Sequence, residues 1–354
     1  MSSTRKLRTN QSGLVSIMVT MILMIVMSLI VIGFAQISRR NQREVLDRQL
    51  STQAFYAAES GVNDVRNLIR TNGTPPAKTD CANTGAFYAG LQPVINAANN
   101  VSYSCVLVNP NPTQLQFNSI DNTSSTVIKI QPLTAPIKTL TLTYQPNASV
   151  ATPVANCPAT ASNAFVPPAN WKCGYGVMRM DLASTDGALD ANTLAASTMT
   201  TFAVPIAGAP GTTINYAAGT SNPKTLTGVS CNATNCKLNI DNMQVHFSYY
   251  LRLSSLYMGV PLQINGTDIN GNAVKFVGAQ VVVDSTGKAQ DVLRRIQAYV
   301  SATGRSDRNS NPDNAVSSFG PLCKRFSVTG DYFALDPGIP SSVTADPLSN
   351  RLCK

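Results

Sequence analysis

Charged side chains are scarce in this sequence. Asp, Glu, Lys and Arg make up 13% of its 354 residues, whereas hydrophobic residues make up 44%. Ser, Thr, Asn, Gly and Pro fill much of the difference, which indicates an extracellular β-rich protein rather than a cytosolic enzyme. The formal charge is +9, but the cations beyond residue 70 are scattered. A nucleic-acid interface needs clustered Lys and Arg, so the sequence predicts no nucleic-acid partner.

Metal ligands are also few. His246 is the one histidine and no CxxC occurs, so the usual Cys/His zinc sites are excluded. Carboxylate and amide side chains occur at every second position, as in calcium-binding loops, at Asp307, Asn309, Asn311 and Asp313. Ser318 occupies the twelfth position, where such a loop needs a bidentate Glu. These residues are weak calcium candidates, and we predict solvated turns with no metal and no cofactor.

Catalytic motifs lack their partners. STGK (Ser285, Lys288) and SNPK (Ser221, Lys224) match the S-x-x-K of penicillin-interactive enzymes, but the SDN and KTG motifs are missing. We predict that STGK forms a hairpin turn, in which Ser can hydrogen-bond to the backbone and Gly can adopt the turn conformation. His246 lies in a predicted strand without a positioned Cys or Asp, although a catalytic triad demands partners. The sequence predicts no enzyme.

Eight cysteines lie after residue 80, an even number that indicates folding in an oxidising compartment. Eight cysteines permit 105 pairings, and sequence order favours pairs of neighbours. The favoured pairs are Cys81 with Cys105, Cys157 with Cys173, Cys231 with Cys236, and Cys323 with Cys353.

Residues 14–37 contain no Asp, Glu, Lys or Arg. As a helix this run is about 36 Å long, enough to span a bilayer core. It is too long for a cleavable secretory signal, and its nearest cleavage-like match, at Gly33, is poor. Arginines flank the run on both sides, so the positive-inside rule does not set the orientation. The cysteines do, because they place the carboxyl side outside the cytoplasm.

The segment from 38 to 70 contains no proline and continues the helical pattern. Small and apolar residues recur in steps of three and four, at Leu46, Leu50, Ala54, Ala57, Ala58, Gly61, Val65, Leu68 and Ile69. Asn72-Gly73, followed by Pro75-Pro76, supplies the stop. We therefore predict one rod-like helix over 14–70, about 85 Å long. Its stripe packs either on the chain's own domain or beside copies of the chain in a filament.

Three features together resemble type IV prepilins and pseudopilins, over residues 1–70. They are a short basic leader ending in Gly13, the uncharged start LVSIMVTMILMIVMSLI, and the segment LDRQLSTQAFYAAESGVNDV, which is similar to the PilX-type minor pilins. The resemblance implies that prepilin peptidase removes the leader, 1–13, and that Leu14 becomes a methylated amino terminus. It also implies other pilin subunits and the membrane as partners, and a surface or host-cell ligand for the exported part.

Met18 departs from the family pattern. Major pilins carry a glutamate at the fifth mature position, which is thought to pair with the amine of the subunit ahead. An intramembrane acid is costly and therefore usually functional. Its absence implies an initiating or tip-located minor subunit that contributes to assembly and surface adhesion. Two alternatives stay open: a tip pseudopilin of a type II secretion system, and a single-pass adhesin or receptor that never enters a fibre.

Beyond residue 70 strand signals dominate. TQLQFNSI, STVIKIQPL and KTLTLTYQP alternate polar and apolar residues, and further strands follow residue 243 in what we predict as an antiparallel meander. We expect an α+β protein: a transmembrane helix (14–37), its amphipathic continuation (38–70), and a disulfide-stabilised, mainly antiparallel β head of one or two lobes. The predicted ranges are a first lobe at 71–150, a linker at 151–170 and a second lobe at 171–354. Pilins typically end in a disulfide-closed loop, which the position of Cys323 and Cys353 fits.

Overall fold

A single long helix opens the structure. The computed structural model describes residues 12–82, 85–163, 165–186, 197–216, 225–302 and 310–311. Helix α1 (Ser12–Asn72) has 61 residues and is about 90 Å long. Gly73 ends it with a φ of +81°, and the Gly73 N–H donates to the Ile69 carbonyl at 2.9 Å. The continuous helix and its glycine stop are as predicted, with no break near Ser38.

A small antiparallel sheet packs against the second half of α1, and we call it the helix-facing sheet. Its order is β1-β2-β13-β14, and the outer members of that order are the edges of the sheet. The strands are β1 (Val94–Asn96), β2 (Val101–Asn109), β13 (Gln280–Ala289) and β14 (Val292–Ser301).

The remaining strands form one large sheet. Its order is β15-β4-β11-β6-β7-β9-β10-β5-β12-β3, with β8 paired to β10. The pairs β7–β9 and β8–β10 are parallel and the others are antiparallel. The strands are β3 (Gln114–Ile120), β4 (Ser125–Ile130), β5 (Thr139–Tyr144), β6 (Val177–Ser184), β7 (Thr198–Ala207), β8 (Thr212–Asn215), β9 (Thr225–Cys231), β10 (Cys236–Asp241), β11 (Tyr249–Leu256), β12 (Val260–Thr267) and β15 (Ser310–Asn311).

The large sheet curves around one apolar core. Leu115 comes from one end of the strand order, Ile128 from near the other end and Met199 from the middle, yet all three are buried in the same cluster. Period-2 alternation places them there: in β5, Leu140, Leu142 and Tyr144 point inward while the threonines between them are half-exposed. A separate core lies between α1 and the helix-facing sheet.

Strand pairing crosses the predicted lobe boundaries. β2 pairs with β13, and β5 of the range 71–150 pairs with β10 and β12 of the range 171–354. Local alternation gives a strand's faces but not its partner, which explains the difference. The predicted linker packs on the core of the large sheet through Val154, Ala161 and Val166. It contains 3-10 turns at Ala161–Asn163 and Pro168–Asn170, and Trp171, just after it, stacks on Tyr257 at 4.3 Å. Other 3-10 turns are Ala86–Gly90 and Met243–Val245.

Two local predictions were wrong. STGK is not a hairpin turn: Ser285 to Lys288 lie inside β13, and the turn follows at Gln290, which has a φ of +51°. The predicted meander also fails, because β12 belongs to the large sheet and β13 to the helix-facing sheet. A glycine inside a strand looks like a turn in sequence, but here it allows the helix backbone to approach closely.

Three predicted disulfides are formed, Cys81–Cys105, Cys157–Cys173 and Cys231–Cys236. The predicted Cys323–Cys353 pair lies outside the described residues. The architecture is α+β: one long amino-terminal helix, then mainly antiparallel sheets stabilised by disulfides.

Candidate functional site: the helix and its interface with the head

The side chains described in the first half of α1 are exposed. From Ser16 to Gln49 the residues are exposed, apart from Gly33, which is half-exposed and would meet nothing within 4 Å if a Cβ were added. Met18 is 63% exposed, and Ile17, Met21 and Ile22 beside it are also more than half exposed. Gly13 and Leu14 lie in the first turn of α1. This half is long and apolar enough to cross a membrane by length and composition.

Two hydroxyl groups in this apolar half donate hydrogen bonds to main-chain carbonyls of the preceding helical turn. The Thr20 hydroxyl donates to the Ile17 carbonyl at 2.9 Å, and the Ser28 hydroxyl donates to the Met24 carbonyl at 2.8 Å. In hydrocarbon a polar group without a partner costs several kcal/mol, so such back-bonding suits a lipid-facing helix.

The charged stretch that follows is also exposed. Arg39, Arg40 and Arg43 are solvent-accessible, and Arg48 donates to Glu44 at 2.6 Å across one helical turn. Both members of that pair are more than half exposed, so the pair contributes roughly 0.3–0.5 kcal/mol at most. This charged stretch therefore lies between the apolar half of the helix and the head, and its one described ion pair adds little stability.

The second half of α1 carries the head. Of the predicted stripe, Ala54, Ala58 and Val65 are fully buried, whereas Leu46 is 56% exposed. Leu50 packs against a small cluster that contains Ala54. Val62, Val65 and Ile69 share a core with Tyr103, Val106 and Val283 of the helix-facing sheet. The stripe from Leu50 to Ile69 thus packs on the chain's own sheet, and only Leu46 is left outside.

Small residues on both sides let the helix approach the sheet closely. A Cβ added at Gly287 would lie against the main chain of α1 at Ala54 and Ala58, and 3.0 Å from the Ala57 carbonyl carbon. A Cβ added at Gly61 would press on the Ser285 hydroxyl and lie 3.1 Å from the Tyr103 ring. Ser285, the serine of STGK, is therefore a buried packing residue under the helix.

Polar contacts fix the rotation of the helix on the sheet. The Tyr103 hydroxyl donates to Asp64 Oδ2 at 2.7 Å, and Arg294 Nε donates to Ser51 Oγ at 2.7 Å. Burial, followed by the Asp64 hydrogen bond, raises the pKa of Tyr103, so the phenol stays protonated as a donor. The two contacts lie more than three helical turns apart, so together they oppose rotation of the helix about its axis.

The chain just after the helix is anchored to the same sheet. The Tyr88 hydroxyl donates to the Pro76 carbonyl at 2.5 Å, and burial raises the pKa of Tyr88 to about 12. Lys78 is buried and its Nζ donates to the Val106 carbonyl at 2.9 Å; burial lowers the pKa of this ammonium, with Asp80 opposing. The Cys81–Cys105 disulfide then joins the segment to β2.

Two aromatic side chains of α1 are exposed outside the packed stripe. Phe55 is 46% exposed and Tyr56 is 61% exposed, although Ala54 and Ala57 beside them are buried. Tyr56 lies 11 residues, or about three turns, beyond Val45, so the two share one helix face. We did not predict this patch, although adjacent aromatics flanking an alanine stripe in AFYAAE are a visible signal for it.

His246 has a partner that the sequence did not reveal. It follows the 3-10 turn Met243–Val245 rather than lying in a strand, and its Nδ1 is 3.3 Å from Asp186 Oδ2. Burial would raise the pKa of Asp186, but the N–H groups of Phe247 and Ser248, which donate to its carboxylate, prevail and the pKa is lowered. The cluster ties the end of β6 to the start of β11.

No group of three or more potential metal ligands occurs among the residues that the structure describes. The Asp268 carboxylate accepts the N–H groups of Asn270 and Asn272 at 2.9 and 2.8 Å, so it stabilises its own turn. The calcium candidates Asp307, Asn309 and Asp313 lie outside the described residues, and Asn311 is described only as a member of β15.

Comparison with known proteins points to the helix. Residues 12–63 match the model of the family described as PilX N-terminal. No curated protein and no solved structure matches the chain. The matched range covers the bare half of α1 and most of its contact with the head, and a PilX-type pilin is a structural protein rather than an enzyme. The chain is thus type IV pilin-like in its amino-terminal segment, with a PilX-type N-terminal region over residues 12–63.

Proposed function

We propose that the chain is a minor type IV pilin-like subunit. Prepilin peptidase hydrolyses the Gly13–Leu14 bond, and the freed amino group of Leu14 is methylated. The mature subunit is first anchored in the cytoplasmic membrane with its head outside the cytoplasm. It then enters a pilus-like filament at the cell surface. The observation that carries this proposal is a continuous helix with a bare, apolar first half and a head fixed to its second half.

The exposed face of the helix outside the span supports assembly rather than simple anchoring. Val45, Phe55 and Tyr56 expose apolar surface beyond the uncharged run 14–37. An anchored ectodomain gains nothing from such a face, and exposed apolar patches usually mark contact surfaces. Neighbouring subunits of the filament cover this face in our proposal.

The position in the filament is inferred from Met18. A methionine in the uncharged run offers no partner to the amine of a subunit ahead, so the chain initiates or caps the tip of the filament. There the head faces outward and contributes to surface adhesion through a surface or host-cell ligand. The chain performs no reaction of its own and needs no cofactor.

Mechanical shearing of surface filaments tests the proposal. Cells carrying the parent chain, the double variant Phe55→Ser/Tyr56→Ser or the matched control Glu59→Gln are sheared, and the fibre and membrane fractions are probed for the chain. We expect the parent and Glu59→Gln in fibres, and the double variant in the membrane, because only the double variant loses the apolar contact face. A parent chain confined to the membrane would contradict filament entry.

Immunogold labelling of the same fibres separates the alternatives. Label at fibre ends supports the tip position, and label along the shaft contradicts it. A type II secretion pseudopilin would instead give no long surface fibres and a secretion defect when deleted. The absence of acidic residues in 14–37 favours a tip subunit in either system.

A further inference from the structure

Part of the outer face of the large sheet carries amide and hydroxyl side chains in register. Along β12, β5 and β10, alternate side chains are buried in the core and those between them are exposed or half-exposed. Strand pairing aligns the outer set in rows. One row contains Gln114, Asn265, Thr141, Asn239 and Thr213, and the next contains Gln116, Gln263, Thr143 and Lys237. We call these two rows the amide–hydroxyl face.

Hydrogen bonds between neighbouring strands hold side chains of this face in place. The Thr141 hydroxyl donates to Asn239 Oδ1 at 2.9 Å, and Asn239 Nδ2 donates to Thr213 Oγ1 at 3.4 Å. A hydroxyl that donates one hydrogen bond can still accept others, and the amide group of an Asn has a second N–H. Side chains that are already ordered lose little conformational entropy when a ligand binds.

A shallow groove of about 230 Å³ lies on the second row. Its lining includes Gln116, Gln263 and Thr143, together with Asn118 and Gln145 beside them. Within the described part of the chain, the side chains of Gln116, Gln263 and Thr143 make no hydrogen bond to another protein group. They can therefore exchange hydrogen bonds with a bound molecule.

The composition of the face determines which partner fits it. Lys237 is its one charged side chain, whereas a nucleic acid or another polyanion needs several cations. Protein interfaces are enriched in aromatic residues, Met and Arg, and the face contains none of these. An apolar partner would remove water from the amides without replacing the lost hydrogen bonds.

A neutral polysaccharide meets all three conditions. It carries no charge, and its closely spaced hydroxyl groups each donate and accept hydrogen bonds, as the side chains of the face do. We propose that the amide–hydroxyl face binds a neutral polysaccharide, with a sugar ring in the groove on the second row. The proposal rests on the proposed surface adhesion, for which it names the class of ligand, although the contact itself needs only the folded head.

Cosedimentation of the full chain with insoluble polysaccharides tests the proposal, in a detergent without a sugar headgroup. The probes are cellulose, chitin and starch, which are neutral, and calcium alginate, which is anionic. The test variant is Thr141→Val/Thr143→Val, because Val keeps the shape of Thr and suits a strand. The matched control is Thr286→Val, at a half-exposed threonine of the helix-facing sheet.

We expect the parent and Thr286→Val to bind at least one neutral polysaccharide equally well. The double variant should bind it about tenfold or more weakly, since two hydroxyl groups are lost from the face. Lys237→Gln should bind as the parent does, because the contact does not depend on charge. The Tm of each variant shows whether the head is folded, and Gln263→Glu, which adds a charge to the groove, replaces the double variant if that one unfolds.

Four results would overturn the proposal. The first is a parent that binds none of the three neutral polysaccharides, and the second is equal binding by the parent and a folded face variant. The third is binding to alginate alone, lost in Lys237→Gln, which would show attraction by charge. The fourth is self-association that the face variant weakens, without polysaccharide binding, which would identify a second copy of the chain as the occupant. Filament entry is measured separately by shearing, so failure of either proposal leaves the other measurable.

Discussion

The close approach of α1 to β13 makes Gly287→Ala a sensitive probe of the helix–head interface. The added methyl would lie against main-chain atoms of Ala54, Ala57 and Ala58, which cannot rotate away as a side chain can. Either the helix shifts off the sheet or β13 bends, and overpacking of this kind costs about 1–3 kcal/mol. The interface nevertheless buries Val62, Val65 and Ile69, each worth roughly 1.5–3 kcal/mol. The variant should therefore fold with a loosened helix.

Hydrogen exchange measures that loosening directly. A cost of about 2 kcal/mol corresponds to roughly 30-fold faster exchange of α1 amides that open by detachment from the sheet. We expect this acceleration over residues 54–69 and none over the large sheet. The matched control is Gly228→Ala in β9, where the added methyl meets only the far end of the Ile206 side chain, at 3.1 Å. If Gly287→Ala and Gly228→Ala both changed exchange of the α1 amides only slightly, the close packing of α1 on Gly287 would not be what holds the helix on the sheet.

Three further variants probe contacts around the helix and the head. Tyr103→Phe removes the donor to Asp64 and should cost about 1–2 kcal/mol in urea unfolding of the head, because a half-buried acceptor loses its partner. Asp186→Ala should cost about 1–3 kcal/mol at neutral pH. Since the folded pKa of Asp186 is lowered, that contribution is present above its unfolded pKa and fades as the pH falls through the folded pKa, so the difference in Tm from the parent should shrink in acid. Replacing Cys81 and Cys105 by serine should lower stability by about 3 kcal/mol. Dithiothreitol, which can also reduce Cys157–Cys173 and Cys231–Cys236, should lower the stability of the parent by at least as much.

Each of these has a control and a contradicting outcome. For Tyr103→Phe the control is Tyr56→Phe, because Tyr56 is exposed. Equal changes in the free energy of unfolding would show that the hydrogen bond from Tyr103 to Asp64 does not stabilise the head. A cost of Asp186→Ala that is independent of pH would contradict a charged carboxylate as the acceptor. An unchanged midpoint in the cysteine variant would show that the Tyr88 and Lys78 contacts hold the segment without the disulfide.

Features of the fold that depend on local sequence patterns were predicted well. The uncharged run, the absence of proline up to residue 70 and the Asn72-Gly73 stop were sufficient for α1. Alternation located β3, β4, β5 and β14, and three disulfides joined near neighbours as expected. These features depend on residues close together in the chain.

Long-range features were missed for a physical reason. Pairing of β2 with β13 joins residues about 180 positions apart, and nothing in either strand identifies its partner. Gly287 looked like a turn because sequence does not reveal the helix backbone lying on it. Asp186 and His246 come together only once β6 and β11 pair. We made no prediction for Phe55 and Tyr56, which lie outside the predicted stripe and are exposed.

The central claim is that the bare half of α1 is a processed pilin-type stem. The most direct test is the intact mass, with fragmentation from the amino terminus, of the chain purified from cells with and without prepilin peptidase. Our account predicts a chain that begins with methylated Leu14 in peptidase-competent cells and one that retains residues 1–13 in cells that lack the enzyme. Retention of residues 1–13 in both strains would contradict it and identify α1 as a permanent anchor.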